Sequence, residues 1–311
     1  MSCNFCPCNG RSLNTGTPKN QRIVKSGVKF WIVPIVADDG TKNQILESDT
    51  LDASFFGGKI NEPDPSKRWY PVGKLRSITD ERGDPITETF NDGSSSITQQ
   101  GIRAYSGMLV DYAPVYKGKL DSLACDDFGI YVIDECGDLV GSFCSNGGGA
   151  GVAALRPIRV NKDSFEARVT KANETLRAKV MVNFEFDQLE RDENLRVLLA
   201  SEMDNVNLLD YEGLIDVNAD YETVPPTVDT ITTTVTQDFD TVFIDREVSG
   251  LLVANFNIFN LTTNAAVVPS LVAEAPVGTY AVTIPAQTVG NVLRVRIVGA
   301  GVFNEQQITL Q

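Results

Sequence analysis

From Phe128 to Phe143 the chain reads as two short apolar runs separated by Asp134, Glu135, Cys136, Gly137 and Asp138. Side chains alternate across a strand, so Phe128, Ile130 and Val132 share one face of the first run while Tyr131 and Ile133 share the other. Gly137 suits a position with φ > 0 and the acids around it favour a turn, so the stretch predicts a β-hairpin. A strand that is apolar on both faces has to be covered on both. One cover is expected from the domain's own core, the other from a second sheet, a helix or another subunit.

The same alternation predicts further strands. Val28–Val36 is rich in β-branched and aromatic residues, and Pro34 inside it marks an edge strand or a bulge. Ala154–Val160 and Ala178–Phe186 are two more; in the second, Val180, Val182, Phe184 and Phe186 oppose Lys179, Met181, Asn183 and Glu185. Asn91-Asp92-Gly93 predicts a hairpin turn between strands poor in large apolar residues. Such strands cannot anchor in a private core, and a long hairpin leaning on a neighbouring subunit is expected. Helical periodicity is confined to Asp187–Met203, where Leu195, Leu198, Leu199 and Met203 form one stripe and Asp187 with Glu190 make a capping box. Residues 38–68 read as loop, punctuated by Phe55-Phe56-Gly57-Gly58, with aromatics suited to an exposed interaction surface. Tyr116–Leu120 reads as leading into a short turn of chain, and Asn146–Gly151 as a flexible connection.

Tyr221–Pro226 breaks the pattern and predicts an interdomain linker. The chain beyond it is Thr-rich, alternating and without helical periodicity, with strands expected at 230–236, 241–244, 251–259, 278–284, 292–298 and 306–310. Short strands at this spacing fit an immunoglobulin-like sandwich, and the absence of cysteine there excludes the version built on a disulfide and a tryptophan. The fold class is therefore mainly β: an arm over 1–27, a β-sandwich or barrel with one packed helix (about 187–203) over 28–223, and an Ig-like β-sandwich over 224–311.

Charge and residue chemistry narrow the function. Residues 1–223 hold 34 acidic and 24 basic side chains, a net of −10, and residues 224–311 hold 7 and 3, a net of −4. Neither half suits tight binding to a phosphate backbone, which needs clustered Lys and Arg. Histidine is absent, which removes the Ser-His-Asp triad, the Cys-His pair and His-ligated zinc. Cys3, Cys6 and Cys8 offer three thiolates with no nearby fourth ligand, so they read as a thiol-bearing arm and not as a metal site. Cys125, Cys136 and Cys144 cluster around the predicted hairpin; Cys125 and Cys144 could face each other across it, although packing is the simpler role. No catalytic, cofactor-binding or metal-binding residue is assigned, and no enzyme activity is expected. No apolar run is long enough to span a membrane, and the N-terminus lacks the form of a signal peptide, so cytoplasmic synthesis is expected.

A β domain with one helix, polar hairpins that want a neighbour, an N-terminal arm and an appended Ig-like module together resemble a tailed-bacteriophage tail tube (major tail) protein. The resemblance is architectural and covers the whole chain. It implies a virion structural protein of the tail, self-assembling into stacked rings with a continuous β lining and Ig-like domains on the outside. Its partners would be itself and other tail or virion proteins, with genomic DNA passing through an acidic lumen without specific binding. The alternatives are another virion component (head decoration, connector, collar or fibre-associated protein) or a glycosidase using two carboxylates on a β scaffold.

Overall fold

The computed structural model of the protein describes residues 24–25, 27–112, 114–123, 125–149, 152–221, 226–238 and 245–311. The expectations for the arm and for Cys3, Cys6 and Cys8 thus fall on residues outside those described, save 24, 25 and 27. The fold is mainly β. Two compact units divide the chain, one holding residues up to Lys59 with Ser66–Glu212, the other Ile60–Pro65 with Gly213–Gln311.

In chain order the first unit contains β1 (Gly27–Pro34), β2 (Ile45–Leu46), α1 (Ala53–Ile60), β3 (Tyr70–Pro71), β4 (Arg76–Arg82), β5 (Ile86–Thr89), β6 (Ser95–Gln99) and β7 (Arg103–Val110). There follow α2 (Pro114–Leu123), β8 (Phe128–Asp134), β9 (Leu139–Gly149), β10 (Val152–Arg156), β11 (Ile158–Thr170), β12 (Lys179–Phe186) and β13 (Leu195–Leu198). One edge of β1 pairs with β8 along its length. Its other edge takes β3 and then the chain leading into β4, with Val72 N donating to Phe30 O (3.0 Å) and Leu75 N to Val28 O (2.8 Å). β4 pairs with β7, β7 with β12, β12 with β11, and Ile158–Arg159 of β11 return to Ile130–Gly129 of β8. The sheet therefore closes as a barrel. Its interior holds Phe30, Ile32, Leu75, Tyr105, Ile130, Val132, Val180, Val182 and Phe184, all buried, with Tyr105 stacked on Phe184 at 5.0 Å. The alternation expected over 178–186 is the observed one, with Val180, Val182, Phe184 and Phe186 inward.

The hairpin at 128–143 also forms as expected: β8 and β9 pair at Val132–Val140 and Ile133–Leu139, and Gly137 turns at φ 82°. The cover for its second face comes from this chain. Trp31 of β1 and Tyr131 of β8 point away from the barrel into a separate aromatic cluster with Phe56 of α1, Trp69 and Tyr211. Trp31, Phe56 and Trp69 are fully buried, and the burial of Phe56 corrects the reading of 38–68 as a loop with exposed aromatics. Asp52 caps α1 by accepting from Phe55 N (2.8 Å), so Phe55–Gly58 are helical and not loop punctuation.

Four further expectations are corrected. Asp187–Met203 is not a helix: 3-10 turns at Asp192–Asn194 and Ala200–Glu202 flank β13, which pairs with β9 from Leu195–Ser142 to Leu198–Leu139. The free backbone edge of β9 outweighs helical propensity there. The helix that packs on the barrel is α2, which buries Leu120 and runs on to Leu123, into the stretch after Leu120 where a short turn was expected. Gly147–Gly149 belong to β9 and pair toward β10, so that part of the glycine run is strand and not flexible connection. Pro34 ends β1 opposite Phe128, and the bulge lies at the other end, between Gly27 and Lys29.

The second unit starts earlier than Val224. It contains β14 (Ile215–Asp220), β15 (Thr230–Asp238), β16 (Asp245–Glu247), β17 (Phe256–Asn260), β18 (Ala265–Val267), β19 (Leu271–Glu274), β20 (Thr279–Thr283), β21 (Val292–Gly299) and β22 (Val302–Thr309). The expected linker, save Tyr221 and Pro226, lies outside the described residues, as does the strand expected at 241–244. β14 pairs antiparallel with β15 and parallel with β22, so one strand serves both sheets. The sheets run β14-β15-β20-β19 and β14-β22-β21-β17-β18. That order is the immunoglobulin-like one, with the first strand shared between an ABED sheet and a GFC sheet. Ile231, Val235, Phe256, Ile258, Tyr280, Val282, Leu293 and Val295 fill the space between them.

Candidate assembly surface

β4 and β7 run on past the barrel. Arg82 faces Arg103 at the last rung of their ladder, and the same two segments then continue as the separate pair β5–β6. The junction is narrow: a Cβ on Gly101 would lie 1.7 Å from Gly83 O, so the crossing requires glycine at 101. At the far end Asp92 accepts from Ser94 N (2.9 Å) and Gly93 adopts φ 83°, closing the turn that the sequence predicts.

Two arginines fix the base of this projection. Arg82 binds Asp192 with Nε to Oδ2 (2.8 Å) and Nη2 to Oδ1 (3.0 Å), while Nη1 donates to Gly101 O (2.6 Å) and Nη2 to Glu190 O (3.3 Å). The pairing raises the Arg82 pKa and lowers that of Asp192. Arg103 binds Asp80 with two bonds of 2.6 Å and lies over Phe186 at 4.7 Å; both members of this pair are largely buried. Forked arginine–carboxylate pairs define orientation as well as energy. Past this clamp the hairpin is solvated: Ile86, Phe90 and Ile97 are 59%, 45% and 56% exposed. Between Gly83 and Ile102 it carries Asp84, Glu88 and Asp92 and no Lys or Arg. The clamp was hidden from sequence reading because residues 187–203 read as helix; the Asp80/Arg103 and Arg82/Asp192 pairs carry no local spacing signal.

A second surface lies on the sheet that branches from the barrel through β9, β10, β2 and β13. It is a groove of about 1210 Å³ with Ile45, Leu46, Phe143, Leu155 and Leu195 on its walls and Glu47, Asp49, Glu193 and Glu202 around it.

Cys125 and Cys136 are free and exposed, so the Cys125–Cys144 bridge is not formed. Cys136 Sγ accepts from Lys25 Nζ (3.1 Å), which together with Asp134 raises the Lys25 pKa. Asp134 is buried and accepts from Cys136 N (2.7 Å) and Asp138 N (3.0 Å), so the acidic turn organises itself. Glu190 is, among the described residues, the one buried acid with a raised pKa; burial drives it up, and bonds from Ser142 Oγ (2.9 Å) and Arg159 N (3.3 Å) oppose the shift. It lines a cleft of about 100 Å³ in which, among the described residues, it is the only carboxylate, whereas glycosidic cleavage needs two. Among the described residues no group of three or more Cys, Asp or Glu is placed to hold a metal ion. No family model matches the chain, and no curated protein does.

Proposed function

We propose that this chain is a virion structural protein that self-assembles through its β-barrel unit into stacked rings, as the tube of a phage tail, with the immunoglobulin-like unit as an outer decoration. The observation that carries the reading is the clamped hairpin. A two-stranded ribbon with exposed Ile86, Phe90 and Ile97 gains no core from its own chain, yet two arginine pairs hold its base in one orientation. Isolated ribbons are marginal in water and gain stability when a neighbour covers them. A second copy of the same chain is the partner that makes such a contact repeat, and head-to-tail repetition yields rings or filaments. Net charge of −14 supports passage of DNA without adhesion, because like charges repel phosphate. The virion tail is the location this role implies, with other tail proteins at the ends of the tube.

Negative-stain microscopy of the purified chain tests the reading. Hollow cylinders are expected from the wild type and none from an Ile86→Asp/Ile97→Asp variant. Monomers from the wild type at all concentrations would refute it.

A further inference from the structure

Val24, the first of the described residues, lines the groove on the branched sheet together with Ile45, Phe143, Leu155 and Leu195. The residue after it is tied down. Lys25 Nζ donates to Cys136 Sγ (3.1 Å) and lies 3.6 Å from Asp134 Oδ2, at the turn between β8 and β9. Successive Cα atoms are about 3.8 Å apart, so the chain before Val24 sets out from the groove itself. At about 1210 Å³ the groove exceeds the roughly 300–1,000 Å³ of small-molecule pockets and suits a length of peptide.

Charge favours the same occupant. Residues 1–23 carry Arg11, Lys19 and Arg22 and no acid. The groove is lined by Glu47, Asp49, Glu193 and Glu202 against one cation, Arg196. Arg196 is turned to the backbone, donating to Glu193 O (2.7 Å) and Leu195 O (2.8 Å). A basic segment tethered at an acidic groove is kept there by high local concentration and by attraction. Cysteine chemistry points the same way. Cys144 pairs with the wall residue Ala154 across the β9–β10 ladder, and it is buried and disulfide-bonded. Cys125 and Cys136 are free, so of the chain's six cysteines Cys3, Cys6 and Cys8 remain as partners.

We propose that residues 1–23 dock in this groove of their own chain, pinned by a disulfide between Cys144 and Cys3, Cys6 or Cys8. Each thiol of the pair gives up one proton and one electron as the S–S bond forms. A disulfide oxidant such as oxidised glutathione takes them up and leaves as two thiols. This contact does not involve the projecting hairpin and stands whether or not the stacked-ring reading holds.

Non-reducing gels and peptide mapping of the full chain, oxidised with glutathione disulfide, test the proposal. The expected result is a cross-link from Cys144 to the arm in a chain that migrates as a monomer. An arginine-specific protease should cut after Arg11 and Arg22 at least about tenfold faster once the disulfide is reduced. Cys144→Ser should be cut at the reduced rate under both conditions. Because Cys144 is buried, Cys3→Ser/Cys6→Ser/Cys8→Ser repeats that test without touching β9. In the reduced chain, Glu47→Lys/Glu193→Lys should speed cutting a further roughly threefold by turning attraction into repulsion. The proposal is overturned by a cross-link between two chains, by one from Cys144 to Cys125 or Cys136, or by none at all. It is equally overturned if either reduction or the lysine pair leaves the cutting rate unchanged.

Discussion

Arg82 holds Asp192 through two bonds, Nε to Oδ2 at 2.8 Å and Nη2 to Oδ1 at 3.0 Å, across 110 residues of sequence. It thereby ties the root of the projecting hairpin to the 3-10 turn beside β13. The pair is partly solvated, so Arg82→Ala should cost no more than about 1 kcal/mol of global stability. Its effect should be local: faster hydrogen exchange across residues 83–102 and reduced assembly. A loss of global stability without faster exchange in the hairpin would show that Arg82 supports the barrel and not the projection.

Arg103 and Asp80 make the buried counterpart. Arg103→Met leaves the Asp80 carboxylate desolvated and unpaired, a loss of about 3 kcal/mol or more in urea unfolding. Arg103→Met/Asp80→Val should recover most of that loss, because an apolar pair carries no desolvation cost. A double variant as unstable as the single one would mean that the Arg103 stack on Phe186 supplies the stability.

Glu190 gives a pH dependence whose sign is fixed by burial. Its folded pKa lies above the ordinary 4.5, so the stability it contributes is fully present below that value and is lost as pH rises through the folded pKa. Glu190→Gln should therefore stabilise the protein relative to wild type at about pH 7 and lose that advantage at about pH 4. Unfolding curves at both pH values measure the difference; an advantage equal at both would remove Glu190 from the titration.

Both tryptophans of the chain, Trp31 and Trp69, sit in the outer aromatic cluster 6.2 Å apart. Tryptophan emission thus reports on the cover of β1 and β8. Phe56→Ala should red-shift it and cost about 3–5 kcal/mol, since the ring is fully buried against Trp31. An unshifted spectrum would mean that the cluster repacks around the lost ring.

If the stacked-ring reading is right, deleting residues 213–311 leaves polymerisation intact, because the ring-forming barrel keeps its own core. Microscopy of the truncated chain checks this, and loss of cylinders from a folded barrel would assign the second unit to the ring contact.

The β8–β9 hairpin, the alternating β12 strand, the Asn91–Gly93 turn and the immunoglobulin-like class were all legible in the sequence. Each rests on period-two alternation or on turn residues, which are local signals carried by adjacent side chains. A sandwich or barrel was legible as a class for residues 28–223, but the strand pairing that makes it a barrel was not, because it depends on Val28 and Phe30 meeting Leu75 and Val72, pairings that no spacing announces. Residues 195–198 carry a helical stripe and still form β13, because an open edge of β9 offers backbone partners that a helix would leave unpaired. The second cover of Phe128–Asp134 was legible as a need, from apolar residues on both faces. Only tertiary packing decided that Trp31, Phe56 and Trp69 meet that need within one chain, because burying several aromatics together removes more apolar surface from water than leaving them on a loop.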